Sequence, residues 1–343
     1  MGKSLLITGG TGTFGKKFVN YAIKNSLYEK IIIFSRDEFK QHQMMNSIRS
    51  KHGQSFIDKY IRFFIGDVRD RERLRVATRG VDHVIHAAAL KHVPFCEYNP
   101  DEAIKTNVDG TKNVCDVAIE NEVRKVIILS TDKAVEPINF YGSTKMLAEK
   151  YAIYSNSYSK NIDKNSIEKV TKISCVRYGN IVGSRGSIVE LFHTMRNKEF
   201  FTITDERMTR FWMSIDKAVE MVNWSLNNCL GGEIIIPKIK ASSILSIAKC
   251  MNPEKRIKFI GIRPGEKIHE QLFNRRESLN AFDVGDYYAI LPERNEWDKN
   301  LNNFYGEYKK EVRTRYYSDC KDLLMSDREL LKLIESEISR LNI

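Results

Sequence analysis

The feature that most limits how this chain can fold is a glycine turn. Thr8-Gly9-Gly10-Thr11-Gly12-Thr13-Phe14-Gly15 sits between an apolar run at Ser4–Thr8 and a helical stretch that begins near Phe14. Glycines at 9, 12 and 15 remove the Cβ atoms that would keep a pyrophosphate from the backbone at a helix N-terminus. A lone glycine pattern is weak evidence, so its surroundings carry the argument. Further apolar runs at 30–35, 61–66, 83–88, 125–130 and 172–178 alternate with helical stretches beginning near Glu38, Asp70, Asp101 and Tyr141. Strand–helix alternation of this kind predicts an α/β fold: a doubly wound parallel sheet with crossover helices and a dinucleotide at the glycine turn.

The rhythm breaks after about residue 180. Glycine-rich and charged loops at 183–186 and 204–210 are too polar for core. A short strand at 233–237, a helix at 243–251, a strand at 257–261 and the loop Arg263-Pro264-Gly265-Glu266-Lys267 follow. The tail at 283–320 reads as aromatic and strand-like, and 327–341 as an amphipathic helix. Residues 1–180 are therefore expected to form the dinucleotide domain, whose core continues into later segments. Residues 181–343 should form mainly a smaller substrate lobe. The stretch at 47–59 reads as a helix extension or an excursion, and the polar 159–169 as an exposed connection.

A chain of 343 residues can bury a core without disulfide or metal staples. Its six cysteines form no CxxC pair, which predicts reduced core residues and no metal site. The N-terminus opens on a strand rather than a signal peptide, and no apolar run is long enough to span a bilayer, so a cytoplasmic protein with no membrane contact is expected. The net charge of +11 is dispersed among acids, which argues against nucleic acid as a partner and suits a phosphate-rich small ligand.

Chemistry concentrates at Ser130-Thr131-Asp132-Lys133 and Tyr141-Gly142-Ser143-Thr144-Lys145. A tyrosine and a lysine at i and i+4 share a helix face. Lys145 can lower the phenol pKa while Tyr141 takes the proton of a substrate hydroxyl, as hydride transfer requires. Asp132 and Lys133 add two proton-transfer groups that a simple alcohol dehydrogenase does not need; the plain alternative is a structural ion pair. The second strand ends Phe34-Ser35-Arg36, with no acid there for a ribose diol, which favours NADP over NAD: Ser35 and Arg36, with Lys40 nearby, could take a 2′-phosphate.

Together with these, Phe64-Ile65-Gly66-Asp67-Val68-Arg69-Asp70, His86 to Pro94, Arg177-Tyr178-Gly179-Asn180, Ser184-Arg185-Gly186-Ser187, Met208-Thr209-Arg210-Phe211 and 261–267 resemble the inverting UDP-N-acetylglucosamine 4,6-dehydratases. These are extended short-chain dehydrogenase/reductases with a Rossmann-type domain that open pseudaminic acid biosynthesis. The likeness runs to about residue 270. It implies transient oxidation at C4 with Tyr141 as base, removal of the C5 proton by Lys133, departure of the C6 hydroxyl helped by Asp132, and hydride return to C6. Reprotonation of C5 on the opposite face would invert that centre and give a UDP-linked 2-acetamido-2,6-dideoxy-β-L-arabino-hex-4-ulose. Thr131 would donate to the C4 oxygen. As a base Lys133 would need a depressed pKa, expected from burial beside Lys145.

The resemblance also implies the contacts. Gly9, Thr11, Gly12, Thr13, Phe14, Gly15, Asp67, Val68, Ala87, Ala88, Lys91, Tyr141 and Lys145 join Ser35, Arg36 and Lys40 around NADP. Lys91, Asn180, Arg185, Arg210, Arg263 and Glu266 face UDP-N-acetylglucosamine, where arginine suits a diphosphate. A homo-oligomer is implied, hexameric in relatives. His86 and His92 are assigned no catalytic role. Tyr141 stands where some membrane-anchored relatives have methionine, and the Asp-Glu pair of retaining dTDP-glucose dehydratases is missing. The rival readings are a UDP-sugar epimerase on the same scaffold, which has no use for Asp132-Lys133, and a non-enzymatic NADP sensor.

Overall fold

A computed structural model describes residues 3–159, 170–184, 187–294, 299–310 and 315–341. Its centre is a nine-stranded sheet. In chain order the strands are β1 (Ser4–Thr8), β2 (Lys30–Ser35), β3 (Ile61–Ile65), β4 (His83–His86), β5 (Lys125–Thr131), β6 (Lys172–Tyr178), β7 (Ile234–Pro237), β8 (Ala281–Asp283) and β9 (Tyr287–Ile290). Their spatial order is β8-β9-β7-β6-β5-β4-β1-β2-β3. Pairing is parallel from β3 through β7, and β9 then runs antiparallel to both β7 and β8. The chain reverses its direction of growth between β1 and β4, so the ends of β1, β4 and β5 open onto one crevice, the usual ligand position in such sheets.

The strand sequences fit this burial. β1 is buried along its whole length, and β5 from Val126 to Ser130, as expected when helices cover both faces. Helix Thr13–Lys24 buries Phe14, Phe18, Val19 and Ala22 at helical spacing and packs against helix Ile215–Asn228. Helices Arg71–Ala77, Gly110–Glu120 and Phe140–Tyr154 pack against one another in succession.

Residue 180 does not divide the chain cleanly. Helix Ile215–Asn228 and strands β7, β8 and β9 return to the large sheet. A second core forms around Val182, Phe192, Phe201, Trp212, Ile244, Ile247, Leu330 and Ile334. There helix Asp327–Leu341 packs on helix Ile244–Met251, and Phe200–Ile203 pairs in parallel with Arg256–Phe259. The stretch 47–59 continues helix Glu38–His52 and, after Gly53, starts helix Gln54–Tyr60. The tail departs from its strand-like reading: among its described residues the strands are the end of β8 at Asp283, β9 and Tyr316–Tyr317, and Lys299–Gly306 is a helix. Tyr288, Tyr305 and Tyr316 of the tail are core groups, the last two almost fully buried. Four of the six cysteines, Cys96, Cys115, Cys175 and Cys229, are buried as well. No helix among the described residues is long and apolar enough to cross a membrane.

One buried ion cluster fastens the sheet to the helix that carries Tyr141. Arg177, at the end of β6, donates to both Glu149 oxygens at 3.0 and 2.7 Å, to both Glu277 oxygens at 3.0 and 2.8 Å, and to the Leu272 carbonyl at 2.9 Å. Arg177 is only 2% exposed, so a missing partner could not be replaced by water. Removing one member of such a buried cluster costs about 3–5 kcal/mol because charge is left behind uncompensated. Arg177→Met is therefore expected to lower unfolding free energy in urea by about that amount. A loss under about 1 kcal/mol would mean that the cluster is not what holds the helix.

Candidate active site

The end of β5 builds the site. After Thr131 the chain makes one 3-10 turn, Asp132–Ala134, and reaches Asn139, whose side chain accepts from the Gly142 N–H at 2.7 Å and caps helix Phe140–Tyr154. A Cβ on Gly142 would overlap the Lys133 carbonyl oxygen. The glycine after Tyr141 is thus what lets the helix touch the turn. Across the gap, Asn139 donates to the Gly265 carbonyl at 2.8 Å, which ties the 261–267 loop to the same helix start.

A cavity of about 540 Å³ opens beside these elements. Its lining includes Ser130, Thr131, Lys133, Tyr141 and Lys145, with Gly9, Gly12, Phe14, Ala87 and Lys91 from the cofactor half and Tyr178, Asn180, Ser184 and Ile188 from the end of β6 onward. The glycine turn has the shape a pyrophosphate needs. Gly9 sits at φ +63°, and a Cβ there would lie 2.9 Å from the Ala87 and Ala88 backbone; one on Gly15 would press on the Gly10 backbone. Helix Thr13–Lys24 begins without a side-chain cap, leaving its first N–H groups for an anion.

Asp132, Lys133 and a residue that the sequence did not single out, Glu270, form a buried cluster. Lys133 Nζ is 3.0 Å from Asp132 Oδ1, 3.4 Å from Glu270 Oε1 and 3.4 Å from Asn180 Oδ1. Burial alone would depress the Lys133 pKa, yet the two carboxylates outweigh it and hold the ammonium above its ordinary value. This corrects the expected depression: the charges beside Lys133 are anions, and Lys145 is turned away, donating to the Leu129 carbonyl at 2.7 Å. Burial raises the Asp132 pKa against the pull of Lys133, with the Glu270 charge adding to the rise. Glu270 goes the other way. Burial would raise it, but Lys133, Arg210 and Lys267 together hold it low. One oxygen of each acid, Asp132 Oδ2 and Glu270 Oε2, is buried without a hydrogen-bond partner.

Burial pushes the Tyr141 phenol up to about 12, and the Lys133 ammonium is the charge that opposes it. The sequence pattern gave that task to Lys145, whose own pKa burial lowers. Tyr141 is hydrogen-bonded to Thr131, and Thr131 donates to Asp132 Oδ1 at 2.9 Å. A line of hydroxyl and carboxyl groups therefore joins Tyr141 to Asp132.

The remaining assigned residues divide. Ser35 is buried and accepts from Gln41 at 3.0 Å. Arg36 is exposed, 3.6 Å from Asp67, which Arg69 also clamps at 2.7 Å. Lys40 pairs with Asp37. Val68 is buried against Gly110. Thr11 is buried in the turn, and Thr13 lines the cavity beside Phe14. Arg210 lies behind the cavity rather than on its wall: it is 9% exposed, donates to the Thr209 and Ile268 carbonyls at 2.7 and 3.0 Å, and is 3.9 Å from Glu270. Arg263 and Glu266 face each other at 3.7 Å and do not line the cavity. Arg185 is outside the described residues.

A family model described as polysaccharide biosynthesis protein matches residues 5–292. The chain belongs to that family. It is 44% identical to a UDP-N-acetylglucosamine 4,6-dehydratase (inverting) of Campylobacter jejuni, over 97% of both chains. It is 41% identical to a UDP-glucose 4-epimerase of Rickettsia bellii, over 90% of this chain and 88% of the other. Among solved structures, Pen from Bacillus thuringiensis superposes with a TM-score of 0.85 at 35% identity, covering 98% of this chain and 97% of that one. DesIV, a dTDP-glucose 4,6-dehydratase of Streptomyces venezuelae, shares the fold at TM-score 0.68 and 18% identity over 98% of both chains.

Besides Glu270, sequence reasoning missed Asn107. It sits in a one-turn π-helix, Ile104–Asp109, is fully buried, and bonds Leu90 through both its amide N–H and its carbonyl at 2.8 and 2.9 Å and Thr144 at 3.0 Å. It thereby fixes the loop after β4 to the Tyr141 helix, and bulges of this kind recur at functional sites. Neither residue carries a periodic or spacing signal. Glu270 is three positions past the 261–267 loop and is brought to Lys133 only by the fold. The Gly142 contact generates a direct test. Gly142→Ala is expected to lower stability by about 1–3 kcal/mol, as overpacking does, and to separate Tyr141 from the Asp132–Ala134 turn. Thermal unfolding with a crystal structure of the variant checks both, and an unshifted turn would show that the contact is slack.

Proposed function

We propose that this protein is an NADP-dependent UDP-N-acetylglucosamine 4,6-dehydratase that inverts C5, a hydro-lyase acting at the first step of pseudaminic acid biosynthesis. The observation that carries this reading is the Asp132–Lys133 pair, buried against the same cavity as Thr131, Tyr141 and Lys145. The full-length likeness to inverting dehydratases supports it.

A dinucleotide, when bound along the glycine turn, supplies a reversible hydride acceptor. The residues of this chain handle the protons. Tyr141 receives the proton of the C4 hydroxyl, with the Lys133 charge favouring the phenolate. A C4 ketone acidifies the C5 hydrogen. Lys133, beside Asn180 at the cavity wall, is the group to take that proton, and Asp132, held above the usual carboxylate range, is the acid for the departing C6 oxygen. Thr131 links the C4 and C6 ends of this chemistry through its bonds to Tyr141 and Asp132. Lys91 and Asn180 are assigned to the sugar, and the Arg263–Glu266 loop to the uridine diphosphate. Ser35 and Arg36 are assigned to the 2′-phosphate, whereas Lys40 is engaged by Asp37. A cytoplasmic homo-oligomer fits the reading.

Epimerase relatives keep the rival in view. An epimerase returns its proton and hydride to C4 and leaves C5 and C6 untouched, so Asp132, Lys133 and Glu270 would have no task there. Incubation with UDP-N-acetylglucosamine is expected to give a product lighter by one water, with a 6-methyl signal in NMR; an unchanged mass with a new C4 configuration would establish epimerisation. Lys133→Ala is expected to cut dehydration by at least about 100-fold, the scale of a lost general base, while dinucleotide binding persists. A variant that still releases water at the parent rate would remove Lys133 from this role. Arg36→Ala is expected to weaken NADP more than NAD in a binding titration, and equal losses would mean the 2′-phosphate is read elsewhere.

A further inference from the structure

We propose that Glu270 is the proton partner of Lys133: at rest it is the carboxylate that balances the ammonium, leaving the proton of the carboxyl pair on Asp132, and it receives the Lys133 proton when the amine is needed as a base. The role, though not the geometry, rests on the dehydratase reading.

The geometry comes first. Glu270 is 2% exposed and Asp132 fully buried, and both reach the same Nζ, at 3.4 and 3.0 Å. Like charges that share a site this buried cannot both ionise without cost. One proton on the pair relieves that repulsion. Its location follows from what faces each acid. Around Glu270 are Lys133 from the 3-10 turn, Arg210 from strand Thr209–Met213 and Lys267 from the adjoining loop; its backbone N–H donates to Ser318 at 2.9 Å. Asp132 is faced by Lys133 at 3.0 Å and by the Lys267 charge, together with the Glu270 charge and the Thr131 hydroxyl. Lys133 and Lys267 act on both acids, and Arg210, 3.9 Å from Glu270, puts the anion on Glu270 and the proton on Asp132, whose Oδ2 has no other partner.

The proton count then closes. A Lys133 N–H proton passes to Glu270, which leaves the charge of the cluster unchanged and makes an amine. The amine takes the C5 proton as the C5–H bond breaks. The Asp132 O–H proton goes to the C6 oxygen as the C6–O bond breaks, and water leaves. As C6 is reduced, the Lys133 ammonium gives a proton back to C5, where a C–H bond re-forms, and Glu270 hands its proton back to Lys133; the proton that Tyr141 took from the C4 hydroxyl returns to Asp132 through Thr131, and the starting state is restored. Glu270 touches neither sugar nor cofactor in this scheme; it is a positioning residue that acts through Lys133.

The test reads the proton directly. In infrared spectra of the unliganded protein at pH 7, the wild type minus Glu270→Gln difference is expected to contain a protonated-carboxyl band that moves when aspartate side chains are carboxyl-labelled with ¹³C. The glutamine cannot balance Lys133, so Asp132 must ionise. A band that moves with labelled glutamate puts the proton on Glu270 and overturns the proposal, as does a difference spectrum with no such band. Activity supplies a second reading. Removing the Glu270 charge lowers the Asp132 pKa, so the alkaline limb of the kcat–pH profile is expected to move toward acid, kcat to fall roughly 100-fold, and KM to change less than about 3-fold. Glu270→Asp, which keeps the charge, is expected to recover part of kcat and to retain the aspartate band. It also serves if the glutamine variant does not fold. A kcat loss equal at every pH would mark Glu270 as structural only. The infrared result needs no substrate: a protein that shows the aspartate band but releases no water from UDP-N-acetylglucosamine overturns the dehydratase reading and leaves the cluster assignment standing.

Discussion

Everything in this site depends on one ammonium held between two buried acids. Lys133 and Asp132 come from the turn that ends β5, and Glu270 from the C-terminal half, so the cluster exists only when both parts of the chain are in place. Its members are unequal by environment. Lys133 and Lys267 act on both acids while Arg210 sits against Glu270 and Asp132 is the more deeply buried, and this asymmetry separates two carboxyl groups that would otherwise titrate alike. A pair of acids driven apart in pKa, next to a tyrosine and against a cavity, is the pattern expected of acid–base chemistry rather than of a structural salt bridge.

The surrounding fold keeps these groups within hydrogen-bond reach. Arg177 locks the Tyr141 helix to β6 through Glu149 and extends the lock to the C-terminal segment through Glu277. Gly142 admits the helix to the turn, and Asn107 fixes the opposite wall through Leu90 and Thr144. His86 sits behind the site, bonded to Thr8 at 2.8 Å and Thr111 at 3.1 Å. Burial, with the Lys145 charge adding to it, pushes its pKa down to about 3, so it is a neutral spacer at working pH. Each of these residues is remote from the chemistry in sequence or role, yet each sets a distance on which it depends.

Local patterns in the sequence carried most of the fold. β1, β2 and β6 have the bounds their apolar runs indicate, and the helices at 38 and 327 begin where the alternation and the amphipathic pattern place them. Thr131, Lys133, Tyr141, Lys145 and the glycine turn share one cavity, as their spacing and family likeness suggested, with Asp132 buried directly beneath Lys133. What stayed hidden was non-local. The Lys133 pKa was read in the wrong direction because its neighbour in space is Glu270, far along the chain, and not Lys145. Arg210 reads as a diphosphate ligand by type, but the fold turns it onto backbone carbonyls and Glu270. The aromatic tail looked like strands because buried tyrosines and phenylalanines serve a helix core equally well, as Tyr305 does.

The central claim is that oxidation at C4 is temporary and serves an elimination across C5 and C6. The most direct measurement follows an isotope through that sequence. UDP-N-acetylglucosamine carrying deuterium at C4, converted by this protein in ordinary water, is expected to yield a 4-keto product with the deuterium in its C6 methyl group and none at C5. Deuterium retained at C4, or lost to solvent, would contradict the claim.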